Sequence, residues 1–210
     1  MEYKSWSLDN AVEIQKEFPY TFYRPPDEII DSLKPGDLVK LIFRFESDEP
    51  DVPAAERMWV IIEIINEDGS FVGKLNNDPF HIKDIKLGNK VRFSRQHIIQ
   101  YNTLNDLDIK DTNDISKYLK KCFVSNHIMH DGYKVGRLYW EEPEDENETG
   151  WTFMGDYETQ EYVDDSKNLQ YIAIGKVLNI DDSFINLLDE PVGSEFVRDD
   201  ITGTFFKIED

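Results

Sequence analysis

The stretch GYKVGRLYWEEPEDENETGWTFMGDYE, residues 132–158, decides the fold of the C-terminal half of the chain. It contains two short apolar runs, at residues 135–140 and 151–154, of the kind that forms strands. An acidic segment, residues 141–150, separates the two runs. The pattern predicts two strands that flank an acidic loop.

Further elements are predicted on both sides of this stretch. Helical spacing relates Ile115, Tyr118 and Leu119, and a second helical face contains Phe184, Leu187 and Leu188, with Asp181 or Asp182 as N-cap. Strands are predicted at residues 122–125, 171–177, near 196, and at 204–208. A turn is expected around His127, His130 and Asp131.

The N-terminal half begins with helical patterns. Ala11, Ile14 and Phe18 recur at helical spacing after a candidate N-cap at Asp9, and a second short helix follows Pro26. Strands are predicted at residues 39–45, 58–65, 71–75 and 91–93, with Asp68-Gly69 as a hairpin turn.

The polar segment 101–114 is predicted to connect two domains, over residues 1–105 and 115–210. The predicted fold class is α+β, with two small, mainly antiparallel sheet domains and short flanking helices.

Composition restricts the class of partner. The 210 residues are 40% hydrophobic and 13% aromatic, enough apolar material for a globular fold. The formal net charge is -20, which disfavours binding to nucleic acid or to an anionic membrane. Residues 1–110 carry 14 basic and 20 acidic side chains, and residues 111–210 carry 9 and 23. The acidity is therefore concentrated in the second half.

The cysteine content and the N-terminal residues indicate the cellular compartment of the protein. Cys122 is the one cysteine, so no intramolecular disulfide can form, and a reducing compartment is expected. The N-terminal segment lacks the apolar run of a signal peptide. We expect a cytoplasmic protein, with an oligomeric state that the sequence leaves open.

Three segments carry a family resemblance: GYKVGRLYWEEP at 132–143, TGWTFMGDYE at 149–158 and PVGSEFVRD at 191–199. Together they resemble the bacterial immunity protein 33 family, also known as domain of unknown function 2185, over most of residues 120–208. The N-terminal half resembles domain of unknown function 2314 through GDLVKLIF at 36–43, ERMWVIIEI at 56–64 and GKLNNDPFHIKDIKLGNKVRF at 73–93.

The first resemblance implies a cytoplasmic, non-enzymatic protein that binds and neutralises a cognate bacterial toxin domain. No catalytic residues and no cofactor come with it. An acidic surface suits this task, because many toxin domains that attack nucleic acid have basic clefts, and complementary charge accelerates association. The candidate contacts combine carboxylates with aromatic anchors. They are Trp140, Glu141, Glu142, Asp145, Glu146, Glu148, Trp151, Asp156, Tyr157, Glu158 and Glu161.

Other interpretations stay open. The two tryptophans also fit a hydrophobic core, and the carboxylates also fit a solvated loop. Asp145, Asn147, Thr149, Gly150 and Asp156 match positions of a calcium-loop template, which gives the alternative of a ligand- or calcium-binding module.

Two more clusters contain residue types that carry chemistry. Cys122 with His127 has the residue types of a nucleophile and base, but Cys122 begins an apolar run where burial makes a thiol inert. A basic cluster in the first half fits three interpretations: binding of RNA or an acidic partner, a solvated face, or pairing with the acidic half of this protein. It comprises Lys83, Lys86, Lys90, Arg92 and Arg95.

Overall fold

The computed structural model of the protein describes residues 5–47, 49 and 51–208. The chain divides into two compact units, Met1–Asp114 (unit 1) and Ile115–Asp210 (unit 2). Each unit is built on one mainly antiparallel sheet with short helices, which confirms the predicted α+β class. Among the described residues, no helix is both long and apolar enough to cross a membrane.

Unit 1 is a six-stranded sheet with two helices near its start. Its described elements are β1 (Trp6–Leu8), α1 (Ala11–Glu17), α2 (Asp27–Ser32), β2 (Leu38–Phe45), β3 (Ala55–Ile65), β4 (Phe71–Leu75), β5 (Lys90–Phe93) and β6 (Ile98–Asn102), with a 3₁₀ turn at Arg95–His97. The strand order is β1-β2-β3-β4-β5, and all neighbours are antiparallel. Strand β6 also pairs with β2, at residues 38–41, whereas β1 pairs with residues 43–45.

Both faces of this sheet are covered. Alternate residues of β2, such as Leu41 and Phe43, are fully buried in the main core, and the rings of Phe71 and Phe93 stack there at 5.2 Å. Ile42 points to the opposite face, where it packs with Ala11 of α1. Helix α1 therefore shields the second face.

The predicted helices, strands and Asp68-Gly69 hairpin of unit 1 are confirmed, with two corrections. The N-cap of α1 is Asn10, whose Oδ1 accepts a hydrogen bond from the Val12 N–H at 3.0 Å, because the Asp9 carboxylate is engaged by Arg44. Strands β1 and β6 were not predicted, since both are short and have no clear alternation.

The predicted connection at 101–114 packs onto unit 1. Tyr101 lies in β6 opposite Val39, and Asn113 donates its side-chain N–H to the Arg24 carbonyl at 3.0 Å. The Tyr23 hydroxyl donates to the Asp111 carboxylate at 2.5 Å. Burial, and then this hydrogen bond, raise the pKa of Tyr23. The segment is thus fastened by polar contacts that its composition does not reveal.

Unit 2 has a second six-stranded sheet. Its described elements are β7 (Lys121–Ser125), α3 (Asn126–Asp131), β8 (Arg137–Trp140), β9 (Glu148–Met154), α4 (Gln160–Asp164), β10 (Leu169–Ala173), α5 (Ile174–Leu178), β11 (Glu195–Arg198) and β12 (Phe205–Lys207), with 3₁₀ turns at Ser116–Leu119, Ser166–Asn168 and Ile185–Leu187. The strand order is β10-β7-β9-β8-β11-β12. The β7–β9 pair is parallel and the others are antiparallel.

Three predictions in unit 2 are wrong in detail. The expected turn around His127 is helix α3, because Ser125 caps it and Gly132, at φ 76°, ends it. The expected strand 171–177 stops at Ala173, and α5 follows with its apolar side chains buried. The expected helix around Phe184 is one 3₁₀ turn, and Asp181 is instead buried in an ion pair with Arg198 at 2.7 Å.

Candidate functional site

The loop that joins β8 to β9 is the most acidic feature of unit 2. We call residues 141–150 the acidic turn. Six of its ten residues are carboxylates: Glu141, Glu142, Glu144, Asp145, Glu146 and Glu148. All of them are exposed except Glu148, which is half-buried. Two carboxylates also brace the turn, since Glu148 accepts from the Glu144 N–H at 2.7 Å and Asp145 accepts from the Asn147 N–H at 2.6 Å.

The base of the acidic turn is fixed by backbone geometry. Gly150 has φ 78°, and a Cβ placed on it would lie 2.1 Å from the Glu141 carbonyl oxygen and 2.5 Å from Trp140 Nε1. The Glu141 N–H donates to the Gly150 carbonyl at 3.0 Å, and Trp140 Nε1 donates to the Thr149 carbonyl at 2.5 Å. Only glycine combines this conformation with this close approach.

None of the ion pairs of the described residues involves a carboxylate of the turn, although Lys120 and Lys121 line one groove with Asp145 and Glu146. The field of the turn reaches β10, where the pKa of Tyr171 is raised first by burial and then by Glu148, Asp145 and Glu144. The turn therefore presents a concentrated negative potential.

Trp140 and Trp151 are opposite each other across the β8–β9 pair, with ring centroids 6.1 Å apart. Trp140 is half-buried, so part of its ring reaches the surface. Trp151 is only 3% exposed and also stacks on Phe153, so it supports the turn from below. Trp151 is thus a residue of the hydrophobic core, and Trp140 lies at the boundary between the core and the surface.

The remaining predicted contacts lie at the other end of β9. The part of β9 beyond the turn, residues 151–154, separates Asp156 from Gly150 by at most about 20 Å. Tyr157 is 77% exposed, and its hydroxyl lies 3.4 Å from the Asp200 carboxylate. Asp156 and Glu161 are exposed as well. The structure therefore gathers residues 140–151 into one site and places residues 156–161 in a second patch.

Glu158 behaves differently from its neighbours. Its side chain is 2% exposed, it accepts a hydrogen bond from the Ser125 hydroxyl, and its Oε1 lies 3.3 Å from His127 Nδ1. The His127 ring stacks on Tyr162 at 4.3 Å. This cluster joins the end of β7 to α4, and sequence reasoning missed it because Ser125 and Glu158 are 33 residues apart.

The geometry of a calcium loop is not formed. Residues 148–154 run as a strand, so Asp145 and Asp156 lie beyond its opposite ends and cannot ring one cation. In the residues that the structure describes, no group of three or more His, Cys, Asp or Glu side chains is arranged to hold a metal ion.

The structure also defines the surroundings of Cys122 and of the basic cluster in unit 1. Cys122 is fully buried in β7, and burial raises the pKa of its thiol, which is the setting of an inert cysteine. The five side chains of the basic cluster in unit 1 are exposed, and two of them have partners, since Arg95 pairs with Asp31 and Lys83 donates to the Phe80 carbonyl at 3.0 Å.

Comparison with known families places this two-unit α+β protein among conserved bacterial proteins. Residues 3–135 match the family described as uncharacterized protein conserved in bacteria (DUF2314), and because the match covers more than half of the chain, the protein belongs to that family. Residues 122–209 match the Immunity protein Imm33 domain. Both resemblances seen in the sequence are thus confirmed. Searches of curated proteins and of solved structures gave no match.

The two family matches overlap at residues 122–135, so the DUF2314 match continues from unit 1 into β7 and α3 of unit 2. The Imm33 match includes β8, the acidic turn and β9. The candidate site therefore lies wholly within the segment that matches the Imm33 domain.

Proposed function

We propose that the protein is a cytoplasmic immunity protein that binds a cognate bacterial toxin domain and neutralises it without catalysis. The observation that carries this proposal is the match of residues 122–209 to the Immunity protein Imm33 domain. A stoichiometric inhibitor needs no catalytic group, because an interface of about 1,600 Å² can occlude an active site by itself.

We place the toxin contact on the acidic turn, with Trp140 beside it. Its carboxylates lie in the loop between two paired strands, and none of them forms an ion pair with a cation of the described residues. Such a patch raises the association rate with a basic partner by about 10 to 1,000 fold. The effect weakens with salt, since the Debye length is about 8 Å at physiological ionic strength.

The other candidate contacts take different roles in this proposal. Trp151 and Glu158 are buried, so they hold the surface in shape and do not touch the toxin. Asp156, Tyr157 and Glu161 form the second patch, which contributes if the interface extends along β9.

The proposal is tested by capture followed by a growth assay. The tagged full chain is used to isolate a binding partner from its own bacterium, and that partner is then expressed in a host with and without this protein. We expect a one-to-one partner whose expression stops growth and whose effect is relieved by coexpression. If the bound proteins leave growth unaffected, or if coexpression gives no relief, the proposed function is wrong.

A further inference from the structure

A pocket with an apolar wall opens beside the acidic turn, entirely within unit 2. It encloses about 390 Å³. Its walls include the half-buried side chains of Trp140, Pro143, Ile185 and Leu188, and Trp151 contributes to its floor. This volume is near the lower end for ligand pockets, about 300 Å³, and it suits one large side chain better than an extended ligand.

The polar groups of the aromatic wall are already satisfied. The Trp140 indole N–H donates to the Thr149 carbonyl at 2.5 Å, and the Trp151 indole N–H donates to the Leu188 carbonyl at 3.3 Å. Because both donors are used inside unit 2, the rings present apolar surface to the pocket. An occupant gains affinity there by removing apolar area from water.

Charged side chains of both signs line the pocket. Glu148 and Asp189 are among them, and the exposed carboxylates of the acidic turn continue outward from Glu148. Lys117 and Lys120 also line the pocket, and Lys117 Nζ lies 4.8 Å from the centroid of the Tyr118 ring. The six carboxylates of the acidic turn outnumber these two lysines, so a basic group beside the occupant is favoured.

We propose that this pocket binds one aromatic or branched aliphatic side chain of a protein partner, with neighbouring Arg or Lys residues of that partner lying across the acidic turn. The pocket would be the energetic centre of the interface, and the turn would provide steering and orientation. Large apolar anchors in pockets, surrounded by charged contacts, carry most of the affinity in many interfaces. The identity of the partner as a toxin rests on the proposed function, but the pocket does not.

A peptide titration tests the pocket without the toxin. The probe is a capped seven-residue peptide with a central tryptophan, two arginines on one side and two lysines on the other, added to the ¹⁵N-labelled full chain. We expect saturable shifts of the indole N–H signals of Trp140 and Trp151. Replacing the peptide's tryptophan by alanine, or its basic residues by glutamate, should weaken binding at least about 10-fold.

Three results would overturn the pocket proposal. The first is no saturable shift of either indole signal at millimolar peptide. The second is equal affinity of the tryptophan and alanine peptides, which would show that charge alone drives the binding and that no side chain enters the pocket. The third is binding of free indole as tightly as the peptide, which would make the pocket a small-molecule site.

A filling substitution provides the structural control. Ile185→Trp adds a ring at the pocket wall, whereas Ile185→Val leaves the pocket open at the same position. Peptide binding should fall at least about 10-fold for the first variant and less than about 3-fold for the second. Equal affinities of the peptide for both variants would show that the peptide binds outside the pocket. The wild-type titration decides the proposal even if Ile185→Trp does not fold.

The same pair of variants separates this proposal from the proposed function. If a captured toxin is neutralised by wild type and equally by a folded Ile185→Trp, the immunity function stands and the pocket proposal is wrong. If the peptide binds in the pocket but no captured partner is toxic, the pocket stands and the immunity function is wrong.

Discussion

Gly150→Ala tests whether the acidic turn is held by the geometry at its base. An alanine at φ 78° is in the left-handed region, at a cost of about 1–2 kcal/mol. Its Cβ would also overlap the Glu141 carbonyl oxygen, 2.1 Å away, and the Trp140 ring. The strand ends must then separate, which weakens the Glu141 N–H to Gly150 and Trp140 Nε1 to Thr149 hydrogen bonds, each contributing about 1 kcal/mol. The expected loss is about 3–4 kcal/mol.

Gly193→Ala is the matched control. Gly193 has φ 83°, but a Cβ placed on it would meet no atom of the described residues within 4 Å, so only the backbone cost of about 1–2 kcal/mol applies. The gain from restricting the unfolded chain is the same for both changes and cancels between them. The difference of about 2 kcal/mol therefore isolates the close contact at Gly150.

The assay is urea denaturation of the full chain, followed through the indole N–H signals of Trp140 and Trp151. These signals report on unit 2 alone, which matters because a chain of two units need not unfold in one step. Equal destabilisation by Gly150→Ala and Gly193→Ala would refute the reasoning about the base of the turn.

Three further predictions concern titratable groups. In unit 1 the Glu56 carboxylate accepts hydrogen bonds from the N–H groups of Phe80, His81 and Ile82. Burial alone would raise the pKa of Glu56, but these donors outweigh it and lower the pKa from 4.5, so the stabilisation is present above pH 4.5 and is lost as pH falls through the folded-state pKa. Glu56→Gln should therefore destabilise unit 1 by about 1–3 kcal/mol at pH 7 in urea melts, and a constant difference down to about pH 2 would contradict this. In unit 2, burial and then Asp200 raise the pKa of Asp156 above 3.8, so stability falls as pH rises from 3.8 through the folded-state pKa. Asp156→Asn should raise the urea midpoint at about pH 7 and leave it unchanged at about pH 2, and a lower midpoint at neutral pH would argue against the shift. Burial also raises the pKa of Cys122, so a thiol reagent should react at least about 100-fold more slowly with the native protein than in urea, and comparable rates would show that the thiol is accessible.

The sequence predicts most of the sheet elements because their apolar residues recur with strand periodicity. Residues 39–45 alternate between core and surface, and the Asp68-Gly69 turn fixes the next hairpin. The sequence does not predict that β7 and β9 are parallel neighbours, since that pairing joins segments far apart in the chain. It also does not distinguish α5 from a strand, because Ile174, Val177 and Leu178 are apolar in either structure.

The candidate site is predicted in part for a similar reason. Charge and turn composition identify the acidic turn, but burial decides which aromatic residue reaches the surface, and Trp140 and Trp151 are alike in sequence. The pocket could not be predicted from the sequence, because tertiary packing brings Ile185, in a distant 3₁₀ turn, and Leu188, directly after that turn, to the tryptophans. The buried Glu158 was likewise indistinguishable from the exposed carboxylates near it.

The central claim, that the acidic turn is the toxin contact, is tested most directly by association kinetics with the captured toxin. One variant neutralises four carboxylates of the turn, and a second removes the same charge from exposed sites of unit 1. The first carries Glu141→Gln, Glu142→Gln, Asp145→Asn and Glu146→Gln, and the second carries Glu17→Gln, Glu28→Gln, Glu67→Gln and Asp106→Asn.

Stopped-flow association is measured for both variants from low to physiological salt. We predict that the turn variant associates at least about 10-fold more slowly at low salt and shows a flatter salt dependence, while the unit 1 variant stays within about 2-fold of wild type. Equal rates for the two variants would contradict the claim, because the effect would then follow total charge and not the acidic turn.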